Sequence, residues 1–110
     1  MIERENLGKI SHISFGMGGY QDAQLGITFT LEGKGWGVCD FWGYWASDPS
    51  PSAKWTKKDQ IEQHGRTVER IGKLLTEVKV KDINKLIGKP IVATVDGSTL
   101  KEWRILTEVL

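Results

Sequence analysis

Apolar and polar residues alternate along several short stretches of this chain and recur at helical spacing along one. The clearest alternation runs from Leu25 to Leu31, where Leu25, Ile27, Phe29 and Leu31 are separated by Gly26, Thr28 and Thr30. A period of two marks a half-buried strand. Upstream, Leu7 to Phe15 reads as a first strand with Ile13 and Phe15 on one face. Ile10 breaks its alternation, which predicts a bulge near Ser11. The run Gly16-Met17-Gly18-Gly19 is expected to end that strand as a flexible turn or loop. Glu32-Gly33-Lys34-Gly35 is a hairpin signal. Trp36 to Phe41 is expected to return from it, with Trp36, Val38 and Asp40 facing one way and Gly37, Cys39 and Phe41 the other.

The period changes after the proline-bearing stretch Ser47-Asp48-Pro49-Ser50-Pro51-Ser52, which reads as a surface loop over residues 47–55 and not as a domain boundary. Thr56 and Asp59 match a capping box. Ile61, His64, Val68, Ile71, Leu75 and Val78 then form one stripe of an amphipathic helix, opposite Lys58, Glu62, Arg66, Glu69, Arg70 and Lys73. Gly65 and Gly72 share a face two turns apart. That spacing fits either close packing on a sheet or a simple weak point of about 1 kcal/mol per glycine. Asp82 is placed to cap a short helix from Ile83 to Ile87, ended by Gly88 and Pro90. Ile91 to Val95 reads as a strand, Asp96-Gly97 as a tight turn, and Leu100 to Leu110 as the last strand, with Trp103, Ile105, Thr107 and Val109 on one side. The predicted class is α+β. An antiparallel sheet of about five strands, in the order β-β-β-α-β-β, carries one main helix on one face, and residues 1–110 form a single domain.

Composition narrows the functional classes. A chain of 110 residues buries roughly 65% of its unfolded surface, enough for one core. Fifteen basic against fourteen acidic side chains leave a charge of +1, which argues against a dedicated nucleic-acid partner. Cys39 is the sole cysteine, so neither an intramolecular disulfide nor a cysteine-cluster metal site can form. The stretch Met1 to Asn6 lacks the apolar run of a secretory signal, and no segment approaches the roughly 18 apolar residues of a membrane span. A soluble intracellular protein is expected, with no membrane partner.

Catalytic patterns are equally sparse. Gly16-Met17-Gly18-Gly19 misplaces the third glycine of a dinucleotide fingerprint and precedes a strand instead of a helix. His12 and His64 have no carboxylates at metal-ligand spacing. Cys39, between Val38 and Asp40, reads as a small buried side chain. No serine sits in a nucleophile elbow, and Asp22, Asp40 and Asp48 have no spacing that makes a carboxylate pair. The expected catalytic residues, metal ligands and cofactors are therefore none. An enzyme would require a cleft bringing His12 or His64 within roughly 3 Å of Cys39 or an aspartate.

The aromatic residues stand apart. Trp36, Phe41, Trp42, Tyr44 and Trp45 fall within ten residues, Trp55 follows, and eight of the thirteen glycines lie between Phe15 and Trp45. On a strand these rings must divide between two faces. Two readings follow: an accessible aromatic surface suited to binding, or a lid that folds back and buries Trp42 and Trp45 over a small core. The candidate binding residues are Tyr20, Trp36, Trp42, Tyr44 and Trp45 as anchors, with Gln21 and Asp22 giving polar direction. Alternatives are a small molecule such as a signalling nucleotide held between the glycine-rich loop and the aromatics, and weak stacking of single-stranded nucleic acid near Lys34, Lys54, Lys57 and Lys58, opposed by Asp40, Asp48 and Asp59. A homodimer through a sheet edge at Leu100 to Leu110 is a further expectation.

Taken together, FGMGGYQDAQLG, then GKGWGVCDFWGYW, a helix, and DINKLIGKPIVATVDG followed by LKEWRIL resemble small conserved-hypothetical proteins encoded by bacteriophages and prophages. The resemblance covers most of the chain but not Ser47 to Trp55. It implies a phage or prophage gene, a bacterial cytoplasm, and a role in host takeover or in blocking host defence. That family has no settled activity, so no catalytic residue is carried over. The expected function is a non-enzymatic module that engages a host protein or complex through the glycine-rich loop and the aromatic segment.

Overall fold

The computed structural model describes residues 3–110; Met1 and Ile2, the start of the stretch tested for a secretory signal, lie outside the described residues. Five strands, β1 (Glu3–Gly18), β2 (Gln24–Gly33), β3 (Trp36–Trp45), β4 (Pro90–Asp96) and β5 (Thr99–Ile105), form one antiparallel sheet in the order β3-β2-β1-β4-β5. The one α-helix of the described residues, α1 (Lys57–Val78), stands between β3 and β4, as the α+β reading requires. Short 3₁₀ turns occupy Tyr20–Asp22, Ile83–Leu86 and Thr107–Val109.

β1 carries the sheet. Its first half pairs with β4 over Glu3–Lys9, and its second half pairs with β2 over Lys9–Gly18. The register shifts between Ile10 and His12, so the bulge lies at Ser11, whose Oγ donates to the Thr30 carbonyl at 3.3 Å. One inserted residue lets Ile10 and Ile13 face the same side despite their odd spacing. That side holds the core: Ile10, Ile27, Phe29, Leu31, Trp42, Ile91, Ala93 and Ile105 from the sheet, with Val78 and Leu86 beyond it. Each large side chain removed from water there contributes about 1.5–3 kcal/mol.

The helix begins as its sequence directs. Thr56 Oγ1 accepts from the Asp59 N–H at 3.1 Å, and Asp59 Oδ2 accepts from the Thr56 N–H at 2.8 Å. It ends on Lys79 in the left-handed region (φ 62°). Its inward face is Gln60, His64, Ile71, Leu74, Leu75 and Val78. Ile61 and Val68, expected in the buried stripe, are exposed, and a Cβ on Gly65 or Gly72 would meet nothing within 4 Å. These two glycines therefore do not mediate close packing on the sheet.

β1 starts at Glu3, four residues before the expected Leu7, because Asp96 to Ala93 pair with Glu3 to Asn6, and three further element limits differ from expectation. Gly16 to Gly18 stay in β1 because Gly26, Leu25 and Gln24 pair with them. β3 runs on to Trp45, opposite Gln24, so Trp42, Tyr44 and Trp45 belong to a strand. β5 stops at Ile105 and does not reach Leu110, because its partner β4 starts at Pro90, whose carbonyl takes the last bond from the Leu106 N–H at 2.9 Å. The following turn is tied back by Arg104, whose Nη1 and Nη2 donate to the two Glu108 carboxylate oxygens, both at 3.0 Å. The guanidinium's hydrogen bonds hold that carboxyl down to about 2. Among the described residues, no helix is long and apolar enough to cross a membrane.

Candidate functional site

Alternation along β3 divides its aromatics between the sheet's two faces, and strand position divides them again along its length. Trp36 lies near the hairpin turn, at the opposite end of β3 from Trp45, roughly 30 Å away along an extended strand. Its indole lies against Gly8 and Gly33, and a Cβ on Gly8 would come within 2.6 Å of the ring. Phe41 does the same on the uncovered face, where a Cβ on Gly43 would approach its ring to 2.7 Å. Much of the glycine richness therefore makes room for flat rings on strands. Trp36 also lines an open groove of about 860 Å³ with Arg4, Asn6, Val38 and Val95, between the turns of the two hairpins.

Trp42 occupies the core instead. It is 7% exposed, its centroid lies 4.6 Å from that of Phe29, and it stands nearly parallel to Trp103 at 6.0 Å. Asp40 Oδ2 accepts both indole N–H groups, from Trp42 at 2.8 Å and from Trp103 at 2.7 Å. The Arg70 guanidinium carbon sits 3.9 Å from a Trp42 ring centroid, within cation–π range. This cluster satisfies both buried donors, as a stable core demands. It also corrects the expectation for Trp42, which is not an accessible anchor.

The accessible rings collect where β1, β2 and β3 end together. Trp45 stacks on Trp55 with centroids 6.2 Å apart and planes 9° from parallel. Tyr44 meets Trp55 edge-on at 5.6 Å, and Tyr20 meets Trp45 edge-on at 6.2 Å. Tyr20 is 67% exposed, while Tyr44, Trp45 and Trp55 are half-buried. Gln60 fixes the loop that carries Trp55. Only 2% exposed, it donates through Nε2 to the Trp45 carbonyl at 2.7 Å and the Ser47 carbonyl at 2.9 Å, and accepts from Lys57 Nζ at 2.8 Å. Lys57 also reaches Asp48 at 2.6 Å. His64 Nε2 lies 3.4 Å from the Tyr44 carbonyl.

Tyr20 leads a turn with an unusual backbone. Gln21 (φ 52°) and Asp22 (φ 54°) both sit in the left-handed region, and both are exposed. That conformation costs a non-glycine residue about 1–2 kcal/mol, and the turn is held by bonds from Asp22 N–H to the Gly19 carbonyl and from Ala23 N–H to the Tyr20 carbonyl.

Of the seven candidate residues, then, the structure brings together Tyr20, Gln21, Asp22, Tyr44 and Trp45, and separates Trp36 and Trp42 from them. Trp55 and Gln60 complete the group. Trp55 was visible as the next aromatic in the chain, whereas nothing in the sequence marks Gln60 or the shared acceptor Asp40. Cys39 proves exposed instead of buried, with its sulfur 3.7 Å from Thr30 Oγ1. His12, Thr30 and Cys39 align across three strands. That puts His12 about two strand spacings, roughly 9–10 Å, from Cys39, too far for a thiol–imidazole pair. Among the described residues, no group of three or more histidine, cysteine or acidic side chains is arranged to hold a metal.

Comparison of the chain with protein-family models, with curated proteins and with solved structures gives no match.

Proposed function

We propose that this protein is a non-enzymatic binding module that engages another protein through the aromatic end of its sheet. In the setting its sequence resembles, that partner is a host protein or complex met in a bacterial cytoplasm. One observation carries the reading: Tyr20, Tyr44, Trp45 and Trp55 form a continuous, partly exposed ring cluster, pre-arranged by Gln60 and by the strained turn at Gln21 and Asp22. Tyrosine and tryptophan anchors held rigidly give contact area at little ordering cost. Gln21 and Asp22 stand beside them as exposed polar groups that set direction.

The test is capture of host proteins on the immobilised chain, followed by reconstitution with the purified partner. Tyr20→Ala combined with Trp45→Ala should weaken that purified interaction at least tenfold while circular dichroism stays unchanged. Undiminished binding by a folded double variant would refute the reading.

A further inference from the structure

We propose that the second half of β1 is a self-pairing edge, and that two copies of this chain join there to make one continuous sheet. β4 covers β1 only from Glu3 to Lys9, and past that point Ile10 bonds to Gly88 and Lys89. From Ile13 to Met17, β1 has β2 on one side and, among the described residues, no main-chain partner on the other.

Which groups face that gap follows from the pleat. Ile10 turns its side chain into the core and its N–H and C=O toward Lys89 and Gly88. Side-chain face and hydrogen-bond direction alternate together along a strand. Ile13, Phe15 and Met17 share the face of Ile10 past the bulge, so their N–H and C=O groups point into the gap. Phe15 is 65% and Met17 58% exposed beside it.

The sheet's two outer strands are guarded in part. β5 carries Lys101, Glu102 and Arg104, and the last carbonyls of β3 are taken by His64 and Gln60. Ser11 to Gly18 contains no lysine, arginine, aspartate or glutamate. An uncharged, apolar edge of this kind is a template for another strand, and this segment suits itself. A two-fold axis at Phe15 sets Phe15 opposite its own copy and Ile13 opposite Met17 of the copy. All six side chains then lie on one face, with no like charges opposed. About six main-chain hydrogen bonds would close the gap, and the closed pairing ends growth at two chains. This surface excludes Tyr20 and Trp45, so the proposal stands apart from the proposed function.

Sedimentation of the full chain should give twice its 12.3 kDa mass. Phe15→Lys should return it to 12.3 kDa with unchanged circular dichroism, because that side chain is outside the core. In a Cys39→Ser background, Phe15→Cys should cross-link under mild oxidation, since Cα atoms of a hydrogen-bonded pair lie about 5.5 Å apart, within disulfide range. Ser14→Cys, which points to the other face, should not. A wild-type chain that sediments as a monomer to millimolar concentration overturns the proposal, as does cross-linking through Lys101→Cys on β5 in its place or uptake of a foreign strand by a monomer.

Discussion

Trp42 and Trp45 are three residues apart on one strand, yet the groups around them are built on opposite principles. Around Trp42, every polar demand is met inside the molecule: Asp40 accepts two indoles, Arg70 covers a ring face, and Phe29 fills the space between. Around Trp45, the rings touch one another but retain exposed surface, and the fixed polar contacts belong to the backbone beneath them. The difference teaches that tryptophan content alone does not mark a binding surface. What matters is whether the indole's contacts are complete before a partner arrives.

Several substitutions press on that contrast. Trp42→Ala should be the most damaging, at about 3–5 kcal/mol, because it leaves a core cavity and strips Asp40 of a donor; urea unfolding would read it directly. Gln60→Leu should cost about 1–3 kcal/mol by leaving the Trp45 and Ser47 carbonyls unpaired, and should also disturb the Trp45–Trp55 stack, seen as a change in near-ultraviolet dichroism. Thr56→Ala removes the helix cap at about 1 kcal/mol and, in the same unfolding assay, should leave that stack's dichroism intact. Trp45→Ala should cost less than Trp42→Ala in stability but more in partner binding; the reverse ranking would erase the distinction between the two groups. The smallest effect is at the C-terminus. Glu108 is held at about 2 by Arg104, below its unfolded value. The pair's contribution is therefore present above the ordinary carboxylate range and is lost as the pH falls toward 2. Amide exchange at Thr107 to Val109 should rise over that interval, while β5 stays protected.

Much of the architecture was legible from local chemistry. The Leu25–Leu31 alternation, the Thr56–Asp59 box and the glycine turns each act within a few residues, and the isolated misfit of Ile10 located the bulge. What escaped depended on distant partners. Glycines at Gly16 and Gly18 look like a loop until β2 is set beside them. The end of β5 is decided by Pro90, and Asp40 meets Trp103 across 63 residues. The candidate site divides the same way: Tyr20 and Trp45 could be read from the chain, but their separation from Trp36 and Trp42 is a property of strand face and strand end.

β1 lends its two halves to different neighbours, and so the hairpins β2–β3 and β4–β5 share no ladder with each other. Each is a wing hung from opposite ends of a common spine, overlapping only at Lys9. Their relative twist is then left to the spine near Ser11 and to side chains that span the gap, chief among them the bond from Trp103 to Asp40. That contact acts as a cross-tie within the core that both hairpins share. Cutting it with Trp103→Phe would leave an aromatic ring beside Phe29 and Trp42 while removing a hydrogen bond that joins the two wings.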